Sequence, residues 1–535
     1  MADSSKKQTF LHGAALLALA TAAVKLIGAF YKIPLKMIIG DQGYGYFITA
    51  YDVYNVLLLV STAGLPVAMS RMISQANALN NSNQVRRVYK TARMIFLGLG
   101  LFSSLFMVLG SNWLANEVLM QPNAATAIAC LGPCALFMGI ISTFRGFFQG
   151  HGNMRPTSQS QVLEAFFKLV IGLGLAFVVM SRYNSVPLAA AGAIFGVTGS
   201  CIISSVFLFS KFRPVYKELP QADQKPMSYG ATAKGLLTIA VPITIGSAGL
   251  QLLTVLEQKL YMGQLLTANG LSQSVADTMK GIYSMTMTIY NMPCAFIVPI
   301  AISVIPAISS QLTLKQDAAV RETEESAARI AGLISMPCAV GLCLLARPIM
   351  ALLGGYTGEG LELATSLMRV LGLCVFLYAI IQYTNALLQA HGFAHIPVVN
   401  MLLAGSSKLA IVYILVGNPN LGILGAPIGS LLGYTAIATL NLVAIARKVP
   451  QKPALLKNLL RPLPAALVMG VAVFGVYRAL TALLGADGSR IILCGAPILA
   501  GVLVYLVMIV LCKVIKKEDC YLLPKGDKLA KLLRL

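Results

Sequence analysis

Charged side chains make up only 11% of this chain, and the most informative of them stand inside or beside long apolar runs. Lys25, Lys32 and Lys36 are spaced so that all three lie on one face of a helix. A one-sided row of ammonium groups suits a phosphate or diphosphate ligand, for which lysine acts as a point charge. The alternative is that Lys32 and Lys36 only extend along apolar surface to the nearest water, which leaves Lys25 as the binding candidate.

Two acidic side chains are candidates for charge pairing or for coupling to an ion. Asp52, in the stretch ITAYDVYNVLL, has no partner within its own predicted helix, so it either pairs with Lys25 or binds a proton or a sodium ion. Glu164 precedes Lys168 by four residues, which is the preferred orientation of a helical ion pair. The sequence leaves open whether Lys168 serves that pair or contacts lipid headgroups and entering ligand on the cytoplasmic side.

A third group of charges surrounds the end of the seventh predicted helix. Glu257 and Lys259 occupy the place that Phe30 and Lys32 occupy earlier in the chain. We expect Lys32 and Lys259 to clamp an anion from two sides, while Glu257 either neutralises Lys259 or holds a coupling cation. Arg369 is a further cationic candidate, because an ionisable group at bilayer depth costs about 2.5 to 3.5 kcal/mol on insertion scales and is functional by default.

The elements that carry these residues belong to an integral membrane protein. The chain is 57% hydrophobic, with a mean hydropathy of +0.77, which is far outside the range of soluble domains. A crossing helix needs about 20 apolar residues, so the predicted fold is all-α with fourteen membrane-spanning helices. The predicted spans are 10–31, 44–70, 89–111, 124–145, 160–180, 187–210, 234–256, 282–307, 327–347, 363–388, 397–417, 423–446, 462–484 and 490–513.

The charge distribution predicts topology, and we expect no metal and no nucleic acid as ligand. No Cys-x-x-Cys spacing occurs, and most cysteines lie in apolar runs, where a thiol behaves as a small hydrophobic group. The formal charge of +22 is concentrated in particular short loops, which places both termini in the cytoplasm. The basic runs 447–461 and 512–534 are expected to contact anionic membrane lipids.

An internal repeat organises the chain. At an offset of 240 residues, His151 and Lys168 meet His391 and Lys408 within a longer run of matches. Lys408 persists although Ala404 stands where the first copy has its glutamate. This difference favours a role for both lysines on the cytoplasmic side, beyond a helical ion pair.

A second, weaker match has an offset of 236 residues. It pairs Gly45 with Gly281 and Arg93 with Arg329, among others. Helices one to six therefore resemble helices seven to twelve, and because six is even, the two repeats are predicted to be parallel and to enclose a central cavity. The predicted domains are an N-lobe (1–215), a C-lobe (216–450) and a C-terminal pair of helices with a basic tail (451–535).

Prolines stand at corresponding places of the two repeats. Pro66 lies in the second predicted helix, and Pro293, Pro299 and Pro306 lie in the eighth. Proline removes a backbone hydrogen bond and kinks a helix, and broken helices at matching places of two repeats indicate a transport path. We predict a hinge at these prolines, with static kinks as the alternative.

No signature of an enzyme is present. The chain has no Gly-x-Ser-x-Gly and no P-loop, and its outer loops are too short to build a catalytic domain. We therefore expect no catalytic residues.

Two stretches carry a family resemblance. VKLIGAFYKIPLKMIIGDQGYGYF (Val24–Phe47) and FRGFFQGHGNMRPTSQSQVLEAFFKLVIG (Phe144–Gly172) resemble the polysaccharide branch of the multidrug/oligosaccharidyl-lipid/polysaccharide exporter superfamily. The greatest similarity is to the stage V sporulation protein B and lipid II flippase group of Gram-positive bacteria. The resemblance implies that Lys25, in KLIG, lines the cavity and that the last two helices form a groove for a lipid tail.

The function implied by this resemblance is transport of an undecaprenyl-pyrophosphate-linked saccharide precursor from the inner to the outer leaflet of the cell membrane. The expected partners are this lipid-linked saccharide and membrane lipids, with a monomeric protein. No cofactor is expected, and coupling would come from sodium ions, protons or the membrane potential, which is worth about 2.3 kcal/mol per charge per 100 mV.

Two other functions remain open from the sequence. A cation-coupled drug or metabolite antiporter of the same superfamily would need acidic residues in its cavity. A non-transporting scaffold in cell-wall or spore-coat assembly would give buried charges little reason to exist.

Overall fold

The computed structural model describes residues 2–62, 64–220, 224–451, 453–485 and 488–514. These residues form helices and connecting turns without a strand, which confirms the predicted all-α class. The α-helices are α1 (Ala2–Thr62), α2 (Leu65–Ala78), α3 (Ser82–Leu109), α4 (Ser111–Trp113), α5 (Ala125–Gly150), α6 (Arg155–Tyr183), α7 (Val186–Lys217), α8 (Tyr229–Thr267), α9 (Gln273–Thr313), α10 (Asp317–Leu344), α11 (Ala346–Leu352), α12 (Gly358–Ala390), α13 (His395–Gly417), α14 (Gly425–Lys448), α15 (Leu455–Leu460), α16 (Leu463–Leu484) and α17 (Arg490–Leu511).

The long helices account for the predicted membrane spans. The fourteen predicted segments coincide with helical residues of the structure apart from a few residues at their ends and the break between α1 and α2 inside the second segment, 44–70. Within the described ranges, 10 helices are long and apolar enough to cross a membrane. The chain is therefore a multi-pass, all-helical membrane protein, since helices satisfy every backbone hydrogen bond within one segment.

Glycine divides the first long helical segment. Gly40 has a φ of 71° and is non-helical inside α1, so the segment consists of two helices that meet at this residue. A positive φ is open to glycine because it has no Cβ. The second of these helices ends at Thr62, and α2 begins at Leu65 with Pro66 in its first turn, where the missing N–H costs no helical hydrogen bond.

The prolines predicted as hinges behave differently in the two repeats. The helix that contains Pro66 is interrupted just before it, as α1 ends and α2 begins. By contrast, Pro293, Pro299 and Pro306 all lie within one continuous helix assignment, α9 (Gln273–Thr313). A helix accommodates a proline when its neighbours satisfy the freed carbonyl.

The helices are grouped into two compact units, Met1–Ser284 and Met285–Leu535. In the first unit, α5 packs against α3 and α7, α6 packs against α7, and α8 packs against α1, α2 and α3. The unit therefore includes α8 and the first turns of α9, which follow the N-lobe boundary predicted at residue 215.

The second unit is built around α10 and α12. Helix α12 packs against α10 and α14, and α13 packs against α14. The short α15 and the two C-terminal helices α16 and α17 lie on α10 and α11. A buried apolar core joins these elements and includes Leu387, Leu388, Ile437 and Leu459.

Candidate functional site

Close contact between two helices positions the charged residues of the first unit. A Cβ on Gly281 would lie 1.9 Å from the Asp41 carbonyl oxygen, so glycine is required where α9 meets α1. On the facing helix, a Cβ on Gly45 would lie 3.3 Å from a carbonyl oxygen of α9. The Gln42 Nε2 donates to Thr278 Oγ1 at 3.2 Å across the same contact. The backbones therefore touch, which brings the side chains one or two turns away within reach of each other.

An ion pair lies beside this contact. The Lys280 Nζ is 3.9 Å from Asp52 Oδ2, and the lysine side chain is only 2% exposed. The same ammonium group lies 5.5 Å from the centre of the Tyr261 ring on α8. Because a buried charge needs a partner, the pair fixes α9 against the second helix of α1.

A second carboxylate, Asp277, is held by neutral donors. Its Oδ2 accepts from the Tyr46 hydroxyl at 3.0 Å, and its Oδ1 accepts from Gln121 Nε2 and Gln273 Nε2, each at 2.9 Å. The side chain of Asp277 is fully buried. Three hydrogen bonds stabilise the carboxylate without removing its negative charge.

The polar network continues around Thr49. Its hydroxyl bonds to the Gln121 side-chain oxygen, and Gln258 Nε2 on α8 donates to Thr49 Oγ1 at 3.0 Å. The Asn123 side chain donates to the Tyr46 hydroxyl at 3.2 Å. The segment before α5 thus joins α1, α8 and α9 in one hydrogen-bonded cluster.

Two further lysines face this cluster. Lys32 interacts electrostatically with Asp52 and with Lys168. The Lys168 Nζ lies 5.8 Å from the centre of the Tyr31 ring and 5.9 Å from that of Tyr51. Lys168 lies near the middle of α6, where it is half-buried beside these two aromatic rings.

Two predicted charges have structural partners. The Lys36 Nζ is 3.3 Å from Asp41 Oδ1, and the lysine is 8% exposed. Glu164 pairs with Arg145, whose Nη2 lies 3.0 Å from Glu164 Oε2. The helical ion pair between Glu164 and Lys168 is therefore not formed, because an arginine from α5 takes the carboxylate.

The charges of α8 point in different directions. Glu257 is 9% exposed and interacts electrostatically with Asp52 and Lys280. Lys259 is exposed. The structure therefore does not bring Lys259 into the cluster with Lys32, and Lys280 takes the interior position predicted for Lys259.

The remaining predicted cations lie elsewhere. Arg369 is exposed on α12, and Lys408 of α13 lies with its Nζ 5.9 Å from the centre of the Tyr434 ring. Both residues belong to the second unit. The side chain of Lys25 lies outside the described residues.

The cluster, which we define as Lys32, Lys168, Lys280, Asp52, Glu257 and Asp277, carries three positive and three negative groups. The sequence predicts a mainly cationic site, whereas in the structure Asp52 lies beside Lys280 and interacts electrostatically with Lys32. Lys280 and Asp277 are missed by sequence reasoning because they stand just before the predicted span 282–307. Their spacing of three residues on one helical face is the available signal.

Comparison with known proteins identifies related chains. A family described as "Polysaccharide biosynthesis protein" matches residues 10–312. Stage V sporulation protein B of Bacillus subtilis (strain 168) is 23% identical over 521 residues, which cover 97% of this chain and 98% of the relative. The lipid II flippase MurJ of the same organism is 22% identical over 479 residues, which cover 86% of this chain and 87% of the relative.

Solved structures share the fold. A lipid II flippase MurJ in an inward closed conformation aligns with a TM-score of 0.68 at 15% identity, covering 92% of this chain and 97% of that chain. An inward-facing multidrug resistance MATE family transporter aligns with a TM-score of 0.66 at 16% identity, covering 80% of this chain and 96% of that chain. The chain thus shares its fold with these two solved structures.

Proposed function

Because the chain belongs to the polysaccharide biosynthesis protein family, we propose that it is a flippase for an undecaprenyl-pyrophosphate-linked saccharide, which it moves from the inner to the outer leaflet of the bacterial cell membrane. The cargo is chosen by analogy with a lipid II flippase that is 22% identical to this chain. The supporting observation in this chain is the buried Lys280–Asp52 pair with Lys32 beside it.

The chemistry of this pair fits an anionic cargo. A diphosphate offers Lys280 and Lys32 a second acceptor, so an arriving headgroup competes with Asp52 for the lysine. Breaking a buried ion pair without replacement is strongly unfavourable, and a bound diphosphate removes that cost. Lys280 therefore joins the proposed ligand-binding residues Lys25 and Lys32, and exchange between protein carboxylate and cargo diphosphate is the proposed switch for alternating access.

Asp52 and Glu257 are the proposed coupling residues. When the cargo diphosphate pairs with Lys280, the Asp52 carboxylate loses its partner. It must then bind a proton or a sodium ion, or remain charged in the membrane field. No cofactor is required by this scheme. We further propose a monomer with both termini in the cytoplasm and no catalytic activity or nucleic-acid ligand.

Transport by the purified full-length protein tests the proposal. The protein is reconstituted into vesicles that contain a fluorescent undecaprenyl-diphosphate saccharide, and flipping is followed by bleaching with dithionite. Lys280→Ala is expected to slow flipping at least about tenfold, because one member of a buried pair is removed. Lys259→Ala, the matched control on an exposed lysine, is expected to leave the rate within about twofold.

A double variant separates transport from folding. Lys280→Met with Asp52→Asn removes both charges, so the fold is expected to persist while flipping stays slow. The proposal fails if the wild-type protein does not flip the lipid. The role of the pair fails, with the flippase activity intact, if the double variant flips at the wild-type rate.

A cation antiporter is the second candidate. The observation that favours it is the presence of three buried or half-buried carboxylates, Asp52, Glu257 and Asp277, in the same cluster. This function predicts that an organic cation gradient drives exchange for protons or sodium ions in the same vesicles. Its key residue would be Asp52, so Asp52→Asn would abolish exchange.

A further inference from the structure

A lateral groove opens on the first unit, away from the charged cluster. It has a volume of about 290 Å³ and is lined by α3, α5 and α7. Its outer edge is apolar and exposed, with Val206 at 64% and Phe209 at 51% exposure. In a membrane protein such a surface faces the lipid. We call it the α3–α5–α7 groove, and its lining residues are Tyr89, Arg93, Leu97, Ile140, Thr143, Phe144, Ser205, Val206 and Phe209.

One end of the groove carries a cation. Arg93 is exposed, and its guanidinium interacts electrostatically with the Tyr89 hydroxyl. The hydroxyls of Thr143 and Ser205 donate to carbonyls of their own helices at 2.9 and 2.8 Å. Arg93 and Tyr89 are therefore the groups that remain to donate to a ligand in the groove.

The position of Arg93 along α3 matches the level of lipid phosphates. The residues before it include Arg86, Arg87 and Lys90, whereas Met94–Leu109 contains no charged residue. This apolar stretch of 16 residues spans about 24 Å at the helical rise, which is close to the thickness of the hydrocarbon core. The guanidinium thus lies where hydrocarbon gives way to headgroups.

The second repeat shows what such an arginine needs. Arg329, which corresponds to Arg93 at the offset of 236, is only 3% exposed. Its Nη1 donates to Asn458 Oδ1 at 2.8 Å, and its Nη2 donates to Ser326 Oγ at 2.7 Å. Helix α15 supplies Asn458 and covers this face of α10. In the first unit, the described residues provide no such cover over Arg93.

We propose that the α3–α5–α7 groove binds an anionic phospholipid of the surrounding membrane. The phosphate accepts from Arg93 and Tyr89, as the Asn458 amide oxygen does from Arg329, and one acyl chain lies along Leu97, Phe144 and Phe209. Charge complementarity and the apolar length of α3 select this occupant. The proposal is independent of the transported cargo.

Photolabelling in a defined membrane tests the site. The full-length protein is reconstituted in phosphatidylcholine vesicles with phosphatidylglycerol that carries a diazirine on one acyl chain, and labelled peptides are mapped by mass spectrometry. Labelling is expected within residues 93–97, 140–144 and 205–209. Arg93→Gln is expected to reduce it about tenfold, because a charge-assisted hydrogen bond is lost.

Three controls decide the outcome. Lys90→Gln removes the same charge one turn away, outside the groove, and is expected to change labelling by less than about twofold. Val206→Trp fills the apolar part without touching Arg93 and is expected to reduce labelling as strongly, which keeps the test valid if Arg93→Gln does not fold. The proposal is overturned if diazirine phosphatidylcholine labels the groove equally, if neither variant lowers labelling, or if equimolar undecaprenyl diphosphate displaces the phospholipid.

Discussion

The two repeats carry the same arginine in opposite surroundings. Arg93 of α3 is exposed in the α3–α5–α7 groove, whereas Arg329 of α10 is buried and bonded to Asn458 and Ser326. The cause of the difference is α15, which lies on α10 and has no counterpart on α3 among the described residues. Both arginines therefore require a hydrogen-bond acceptor. For Arg329 the acceptor is protein, and for Arg93, by our proposal, it is a lipid phosphate.

The comparison also gives the C-terminal helices a structural role. Helices α16 and α17 extend the cover that α15 begins, and the Tyr505 hydroxyl of α17 donates to the Leu333 carbonyl of α10 at 2.7 Å. Their outer faces are exposed and apolar, as at Val471 and Leu499. The family resemblance implies a groove for a lipid tail on these helices. In this chain they also shield the arginine-bearing face of α10.

The largest expected effect separates the two arginines directly. Arg329→Leu leaves the Asn458 amide and the Ser326 hydroxyl without their donor, so the free energy of unfolding is expected to fall by about 3 kcal/mol. Arg93→Leu is expected to cost less than about 1 kcal/mol, since its site is open. Unfolding in mixed micelles titrated with sodium dodecyl sulfate measures both. Equal losses for the two variants would contradict the comparison.

A glycine makes the cover possible, and its replacement is the next test. A Cβ on Gly332 would lie 2.2 Å from the Leu459 carbonyl oxygen of α15, so Gly332→Ala is expected to displace α15 at a cost of about 2 kcal/mol. Backbone hydrogen exchange of α15 is expected to speed up, because the displaced helix is less protected. Gly98→Ala on α3, where nothing lies within 4 Å of the added Cβ, is the control and should not destabilise the protein.

The two repeated histidines give a smaller contrast of the same kind. The His391 Nε2 bonds to Glu324 Oε1 at 2.6 Å, and both side chains are almost fully buried. His151 instead bonds with its Nδ1 to the Phe147 carbonyl at 2.9 Å. We expect His391→Leu to lower the free energy of unfolding by about 2 kcal/mol and His151→Leu by less than about 1 kcal/mol. Similar losses in the micelle assay would show that the partners do not matter.

The smallest expected effect is a pH dependence at His151. Burial lowers the pKa of His151 below its usual value, partly offset by its bond to the Phe147 carbonyl. The unfolded chain therefore takes up the proton first as the pH falls below about 6.5, and the folded protein loses stability in that range. His151→Gln is expected to reduce the loss between pH 7 and pH 5 by less than about 1 kcal/mol. An unchanged slope would exclude this contribution.

Much of the fold is predictable because membrane crossing requires long apolar helices. The predicted spans coincide with helices apart from the break between α1 and α2, and the internal repeat alone identifies Arg93 and Arg329 as equivalent residues. The sequence does not indicate that α15 covers one of them. The signal in the sequence is Gly332, which stands where the first repeat has Phe96. A single glycine, however, does not predict which helix packs against it.

The charged cluster is predictable only in part. Asp52 can be recognised because it stands inside a predicted span, where a charge is conspicuous, and Lys32 and Glu257 because each directly follows one. Lys280 is inconspicuous since it lies at the polar end of a predicted span, whereas Lys259 fits the repeat although it is exposed. Whether Lys259 or Lys280 points into the unit depends on how each helix is rotated about its axis. Packing sets this rotation, and hydropathy does not reveal it.

The contact between Gly45 and the backbone of α9 near Gly281 has a consequence for the symmetry of the two repeats. These glycines are related by the offset of 236 residues, so each repeat supplies one side of the contact. The contact is self-complementary, as in a symmetric homodimer. The adjacent Lys280–Asp52 pair does not share this symmetry, because the counterparts of the two residues are Tyr44 and Thr288. The two repeats therefore share this backbone contact but differ in the charges beside it.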